Sequence, residues 1–253
     1  MKQKLSTAII FFTVAYLSIG VLLFIGQRSF LYFPSPVVNH DFDTIIFKNA
    51  GESINVIVGN KEKQKAILYF GGNAESVVYN TPIFTNIFPD HAVYLVNYRG
   101  YGGSSGSPKE KDIYADASII FEAIKKKHSE VSIIGRSLGS GVATFLAPKI
   151  ETGKLVLITP FDSIQNVAQS RFFIYPMSLL LKDKYNSLSR VTSIKAKTLI
   201  LIAENDKVIG FKHSANLVKA FPTSQIIVKT IPLTGHNTIS KNEQYYQILK
   251  SFL

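Results

Sequence analysis

Ile133-Ile134-Gly135-Arg136-Ser137-Leu138-Gly139-Ser140-Gly141 is the stretch that decides the reading of this chain. An apolar run over residues 131–134 ends at a Gly-x-Ser-x-Gly, and helix-like sequence follows over residues 142–150. Strand, sharp turn carrying a serine, then helix is the layout of a nucleophile elbow. The chemistry explains the residue types. A serine on so tight a turn has its hydroxyl lifted clear of the sheet, and Gly135 and Gly139 keep side chains out of a place where the chain crowds on itself. The helix that follows aims backbone N–H groups, and the positive end of its dipole, at any anion forming there. The same pattern recurs at Gly102-Gly103-Ser104-Ser105-Gly106, but that copy runs into Ser107-Pro108, where no helix starts from the serine. Only Ser137 has both the strand and the helix.

Outward from the elbow, apolar strands are predicted at residues 66–70, 92–97, 131–134, 155–158, 198–203 and 226–231, alternating with helical stretches. Continuous apolar strands alternating with helices imply a doubly wound, mostly parallel sheet covered on both faces. Upstream, residues 44–47 and 54–58 flank the turn signal Asn49-Ala50-Gly51 and predict an antiparallel hairpin at one edge. Two helix starts read as capping boxes, Ser107-Pro108-Lys109-Glu110 and Ser240-Lys241-Asn242-Glu243.

Reactive groups in such sheets collect at the carboxyl ends of the strands. Past residues 198–203 comes Glu204-Asn205-Asp206, and past residues 226–231 comes Gly235-His236-Asn237. Serine, acid, histidine is the chain order of the α/β-hydrolases. Of five histidines, only His236 follows the last strand in a short glycine-flanked loop; His40, His91, His128 and His213 read as solvated surface residues. Asp206 is preferred as the acid over Glu204, which adjoins the strand, and over Asp162, which suits a helix cap. An oxyanion hole needs two N–H donors. One is expected from Leu138, directly after the serine, and the other from the loop Gly71-Gly72-Asn73-Ala74-Glu75.

Composition bounds the rest. A chain of 253 residues with 46% hydrophobic content suffices for one large domain with a well-buried core. With no cysteine there is no disulfide, thiolate zinc site or cysteine nucleophile. The net charge of +11 reads as a lysine-rich surface, compatible with anionic lipid or acidic substrates, and no nucleic-acid-binding motif accompanies it.

The N-terminus adds a membrane element. Residues 6–26 carry no charge and as a helix would span about 31 Å, matching a hydrocarbon core of roughly 30 Å. The run is long for a signal peptide and lacks an Ala-x-Ala cleavage pattern, so it predicts an uncleaved anchor over residues 1–28, with a hydrolase domain over residues 29–253. Lys2 and Lys4 before the run, against Arg28 after it, put the N-terminus in the cytoplasm and the main domain on the other side.

Six stretches together carry a resemblance: Phe70-Gly71-Gly72-Asn73-Ala74-Glu75, Asn97-Tyr98-Arg99-Gly100-Tyr101-Gly102-Gly103-Ser104, Gly135-Arg136-Ser137-Leu138-Gly139, Leu180-Leu181-Lys182-Asp183, Glu204-Asn205-Asp206 and Gly235-His236-Asn237. The chain resembles an α/β-hydrolase-fold serine hydrolase of the membrane-anchored bud-emergence-like (Bem-type) branch, from the N-terminal anchor almost to the end. The resemblance implies Ser137 as nucleophile, His236 as general base and Asp206 as its orienting acid, with no metal or organic cofactor. Two departures stand out. Gly71 occupies the position where many relatives have a histidine, which makes Asn73 the preferred second oxyanion donor, with Gly72 beside it; and Ile209-Gly210 follows Val208 where relatives often have proline. Arg99 is read as structural.

The apolar segment Phe172-Phe173-Ile174-Tyr175-Pro176-Met177 lies within residues 163–190, where a small helical lid would line an acyl pocket with Phe172, Phe173, Ile174 and Met177. Ordinary helix packing explains the same residues. The expected activity is hydrolysis of a lipid-like ester or thioester, with a serine peptidase or a non-catalytic membrane scaffold on the same fold as alternatives.

Overall fold

A computed structural model describes residues 2–253. Eight strands form one sheet: β1 (Asp43–Asn49), β2 (Glu52–Gly59), β3 (Lys65–Phe70), β4 (His91–Val96), β5 (Glu130–Arg136), β6 (Leu155–Ile158), β7 (Thr198–Ala203) and β8 (Ile226–Ile231). Their order is β1-β2-β4-β3-β5-β6-β7-β8. β2 runs antiparallel to both β1 and β4, and every pairing from β4 through β8 is parallel. This is the α/β-hydrolase fold, with the predicted hairpin at one edge.

The strands are apolar on both faces because both faces are covered. In β3, Ala66, Leu68 and Phe70 enter one core while Ile67 and Tyr69 enter the other. Four helices matter for the packing: α2 (Thr81–Ile87), α3 (Glu110–Lys125), α4 (Leu138–Leu146) and, at the end of the chain, α8 (Glu243–Phe252). Helices α3 and α4 fill the first core with Ile113, Ile120, Val142 and Leu146, while α2 and α8 fill the second with Phe84, Tyr245 and Leu249. Arg99 is structural, as expected: its buried guanidinium grips Asp116 of α3 through two hydrogen bonds of 2.6 and 2.8 Å.

Neither predicted capping box forms. Helix α3 starts at Glu110 with Lys109 in extended backbone ahead of it, so Ser107 caps nothing. The Glu110 carboxylate is used elsewhere, accepting the amides of Lys184 and Tyr185 at 2.6 and 3.0 Å. At the C-terminus, residues 239–241 form a separate short turn, and Asn242, not Ser240, caps α8 by accepting the Gln244 amide.

Helix α1 (Lys2–Leu31) precedes the sheet and is long and apolar enough to cross a membrane, with a mean hydropathy of 2.6 over its 18-residue apolar stretch. It continues past residue 28, the predicted boundary. Its last turns lie against the insertion between β6 and β7, which holds α5 (Ile164–Arg171) and the single turn α6 (Met177–Leu180). A further helix, α7 (Phe211–Ala220), joins β7 to β8.

Candidate active site

Strand β5 delivers Ser137 to the turn before α4, and the backbone there is strained: Ser137 holds φ +48° and ψ −114°. Such a conformation suits glycine, and a side chain persists in it only where the surroundings enforce it. The two flanking glycines do so. A Cβ on Gly135 would stand 2.4 Å from the Gly139 carbonyl oxygen, and one on Gly139 would stand 2.0 Å from that of Phe70. Helix and strand approach so closely that only glycine fits at either position.

The loops after β7 and β8 bring the other two predicted residues to this serine. His236 Nε2 lies 2.8 Å from Ser137 Oγ, and His236 Nδ1 lies 2.7 Å from Asp206 Oδ2. A carboxylate only accepts, so Nδ1 carries the proton, and Nε2 is left to accept from the serine hydroxyl. Burial pushes the Asp206 carboxyl up, but hydrogen bonds from His236 and from the Ile209 and Val208 amides outweigh it and hold it below the ordinary carboxylate range.

The rejected candidates have other partners. Glu204 is exposed and accepts the Leu233 amide. Asp162 is buried and accepts from His213, from Asn166 and Asn216 side chains, and from the Ser163 amide. Ser104 is buried as a cross-link, donating to the Asn97 carbonyl and accepting from the Asn55 amide. Two histidines expected at the surface are buried instead. His213 bridges Asp162 and Ser170, and His91 packs its ring edge-on to Phe88, where burial lowers its pKa. Neither is visible as buried in a one-dimensional pattern, because a loop or helix-start position says nothing of what packs over it.

Leu138 is the first residue of α4, so its amide has no acceptor within the helix. Asn73 borders Ser137, with its side chain held on both ends: Nδ2 donates to the Leu31 carbonyl at 2.6 Å, while Oδ1 accepts from the Phe33 amide and the Tyr101 hydroxyl. Gly72 departs from expectation. Its amide donates to Glu75 Oε2 at 2.6 Å and is not free for an oxyanion. Glu75 also accepts from Tyr69 and Asn80 and lies 3.5 Å from Arg136, a cluster that fixes the loop. Burial works against the Arg136 charge, but Glu75, Tyr69 and Tyr245 together outweigh it and drive its pKa up. A glutamate three residues after a glycine is the available sequence signal for this bond.

Ser137 stands between two cavities. One, of about 280 Å³, is polar and bordered by Gly72, Glu75, Arg136, His236 and Asn237. The other, of about 270 Å³, is apolar and bordered by Ile164, Val167, Phe172 and Met177 of the insertion and by Leu23, Gln27, Phe30 and Leu31 of α1. The expectation for the insertion is thus half right. Phe172 and Met177 face the apolar cavity, whereas Phe173 and Ile174 point outward, 81% and 57% exposed. The wall contributed by α1 has no counterpart in the sequence reading.

Among known proteins, the chain is 31% identical over 165 residues to the alpha/beta hydrolase domain-containing protein aho-3 of Caenorhabditis elegans, covering 64% of this chain but only 48% of that relative's length. It is 28% identical over 210 residues to an uncharacterised membrane protein of Saccharomyces cerevisiae, covering 78% of this chain and 73% of that one. An esterase structure from Pyrococcus furiosus superposes with a TM-score of 0.70 at 16% identity, covering 88% of this chain and 98% of that one, a likeness of fold. The family model for serine hydrolase (FSH1) matches residues 91–237, from the start of β4 to the loop that carries His236. With more than half of its length inside that match, the chain belongs to the serine hydrolase (FSH1) family.

Proposed function

We propose that the protein hydrolyses carboxylic esters or thioesters with lipid-like acyl groups, through an acyl-enzyme at Ser137. One observation carries the reading: the hydrogen-bonded series Asp206, His236, Ser137 ends at the inner wall of an apolar cavity. His236 Nε2 takes the proton of Ser137 as Oγ bonds to the acyl carbon. The developing oxyanion is met by the Leu138 amide and the Asn73 amide, and Asp206 stabilises the imidazolium. The tetrahedral species collapses with loss of the C–O or C–S bond, and His236 returns the proton to the departing alcohol or thiol. Water, deprotonated by the same nitrogen, then attacks the acyl carbon, and Oγ recovers its proton as the acid leaves.

In this reading, the acyl chain occupies the apolar cavity and the leaving group lies toward Arg136 and Asn237 in the polar one. Residues 163–190 serve as the lid, and residues 1–28 anchor the domain of residues 29–253 in a membrane with the N-terminus in the cytoplasm. The anchor is supported by the length and hydropathy of α1 and by the yeast relative's description as a membrane protein. An active-site phosphonate probe tests the nucleophile. The wild type should be labelled and Ser137→Ala, which loses only a hydroxyl, should not be, with hydrolysis falling by on the order of 10⁴ to 10⁶. Ser104→Ala should keep its labelling. Labelling that survives in Ser137→Ala and vanishes in Ser104→Ala would put the nucleophile at the other turn.

A further inference from the structure

The insertion between β6 and β7 runs back along α1 toward its middle. From the sheet end outward, Arg28 pairs with Asp183 through bonds of 2.8 and 3.3 Å, and Gln27 accepts the Lys182 amide and donates to the Leu180 carbonyl. Lys182 lies 4.1 Å over the Phe24 ring. Farthest out, Tyr16 stacks on Tyr175 at 4.7 Å and donates to the Ile174 carbonyl at 2.9 Å. At 1.5 Å per residue, Tyr16 and Arg28 are separated by about 18 Å along the helix. That is comparable with the roughly 15 Å depth of one leaflet's hydrocarbon.

The tip at that level is apolar and uncovered. Phe172, Phe173, Ile174 and Leu179 are 43%, 81%, 57% and 78% exposed, and Leu17, Val21 and Ile25 of α1 are exposed as well. Among the described residues its backbone leaves the amides of Phe173 and Ile174, alone within residues 172–175, without an acceptor, but every carbonyl of residues 172–176 is satisfied within the chain. The carbonyls of residues 172–176 each accept a hydrogen bond from within the chain: from the Tyr175 amide, Gln169, Tyr16, Gln169 again, and the Leu179 and Leu180 amides. An irregular loop in water has no need of this. In hydrocarbon an unpaired carbonyl costs several kcal/mol, so irregular backbone survives there only when it is satisfied internally.

We infer that the tip of the insertion, Phe172 to Ile174 with Leu179, is immersed beside α1 in the leaflet of the membrane, so that the apolar cavity at Ser137 is reached from lipid rather than from water. The inference rests on the proposed anchor, and it makes the acyl substrate one that already resides in the bilayer. The occupant of the exposed face is lipid acyl chain: the face continues the surface of α1, which among the described residues is the helix suited to spanning, and the charged side chains Arg28, Lys182 and Asp183 cluster at its sheet end.

The chain has no tryptophan, so a single introduced indole reports its own surroundings. The full-length variants Phe173→Trp and Leu179→Trp, both at outward-facing positions, are reconstituted in phosphatidylcholine vesicles with and without phosphatidylcholine brominated on its acyl chain. Phe11→Trp in α1 reports the anchor, and Glu151→Trp, in the loop that enters β6 at the opposite end of the strands from Ser137, reports water. The first three should lose a large share of their emission to the bromolipid and Glu151→Trp should lose none. Quenching of Phe11→Trp with neither Phe173→Trp nor Leu179→Trp quenched overturns the inference and leaves the anchor standing. A blue-shifted but unquenched Phe173→Trp also overturns it, with a second copy of the chain as the cover. Absence of quenching in all four removes the anchor and the inference together.

Discussion

Ser137 combines two demands that oppose one another: a reactive hydroxyl and a backbone conformation that disfavours any side chain. Ser137→Gly and Ser137→Ala should both be inactive, but the glycine variant should be the more stable by about 1 kcal/mol or more, since strain at such a residue is worth 1–3 kcal/mol. Equal unfolding midpoints would mean that the turn is not strained in solution. Asp206 supports a second expectation. Its folded pKa lies below the unfolded value near 3.9. The sign follows from proton uptake: its stabilisation is complete above the unfolded value and lost as pH falls through the folded one. The stability gap between wild type and Asp206→Asn should therefore hold constant above about pH 5 and shrink in more acid solution. A gap that widens on acidification would contradict the lowered pKa. These two residues, with His236, were legible in sequence because the turn, the strand ends and the chain order each restrict residue type. The outward direction of Phe173 was not: residues 172–176 form no regular element, and α6 is a single turn, too short for periodicity to assign a face.

The N-terminal helix is less detached than its hydropathy suggests. An apolar run states a length, so the helix itself was legible. The contacts that dock it to the insertion were not, because Gln27 and Arg28 are far apart in sequence from their partners, the Leu180 carbonyl, the Lys182 amide and Asp183. The same limit applies to α3, whose Glu110 has the spacing of a cap yet serves the amides of Lys184 and Tyr185 across the fold. Gln27 gives the sharper test of the docking. It is buried, its amide nitrogen donates to the Leu180 and Phe24 carbonyls, and its oxygen accepts from Lys182. Gln27→Ala leaves the Lys182 amide and the Leu180 carbonyl without these partners, a loss of about 1–3 kcal/mol. The expected readout is local: faster proteolysis within residues 172–182 of the detergent-solubilised protein, with the sheet still resistant. Unchanged cleavage there would mean that α1 does not hold the insertion.

At the scale of the whole molecule, sheet, insertion and N-terminal helix meet at one cavity, and the hydrolase family assignment acquires a direction for substrate size. Each methylene buried in that cavity is worth up to about 0.8 kcal/mol, so a two-carbon extension raises kcat/KM by as much as about 15-fold until the cavity is full. Leu23 and Met177 border it from opposite elements, α1 and the insertion, whereas Phe173 lies outside. The double variant Leu23→Ala with Met177→Ala should flatten the rise for long acyl chains and barely alter acetate hydrolysis, since acetate needs only the ground next to Ser137. Phe173→Ala should leave a series of soluble esters unchanged. The measurement is kcat/KM against acyl length in detergent for the wild type and both variants. A rise in the wild type that the double variant keeps would move the acyl chain out of this cavity. A flat wild-type series, with amide substrates preferred over esters, would end the lipid-like reading while leaving Ser137, His236 and Asp206 as the proposed machinery of a hydrolase acting on something else.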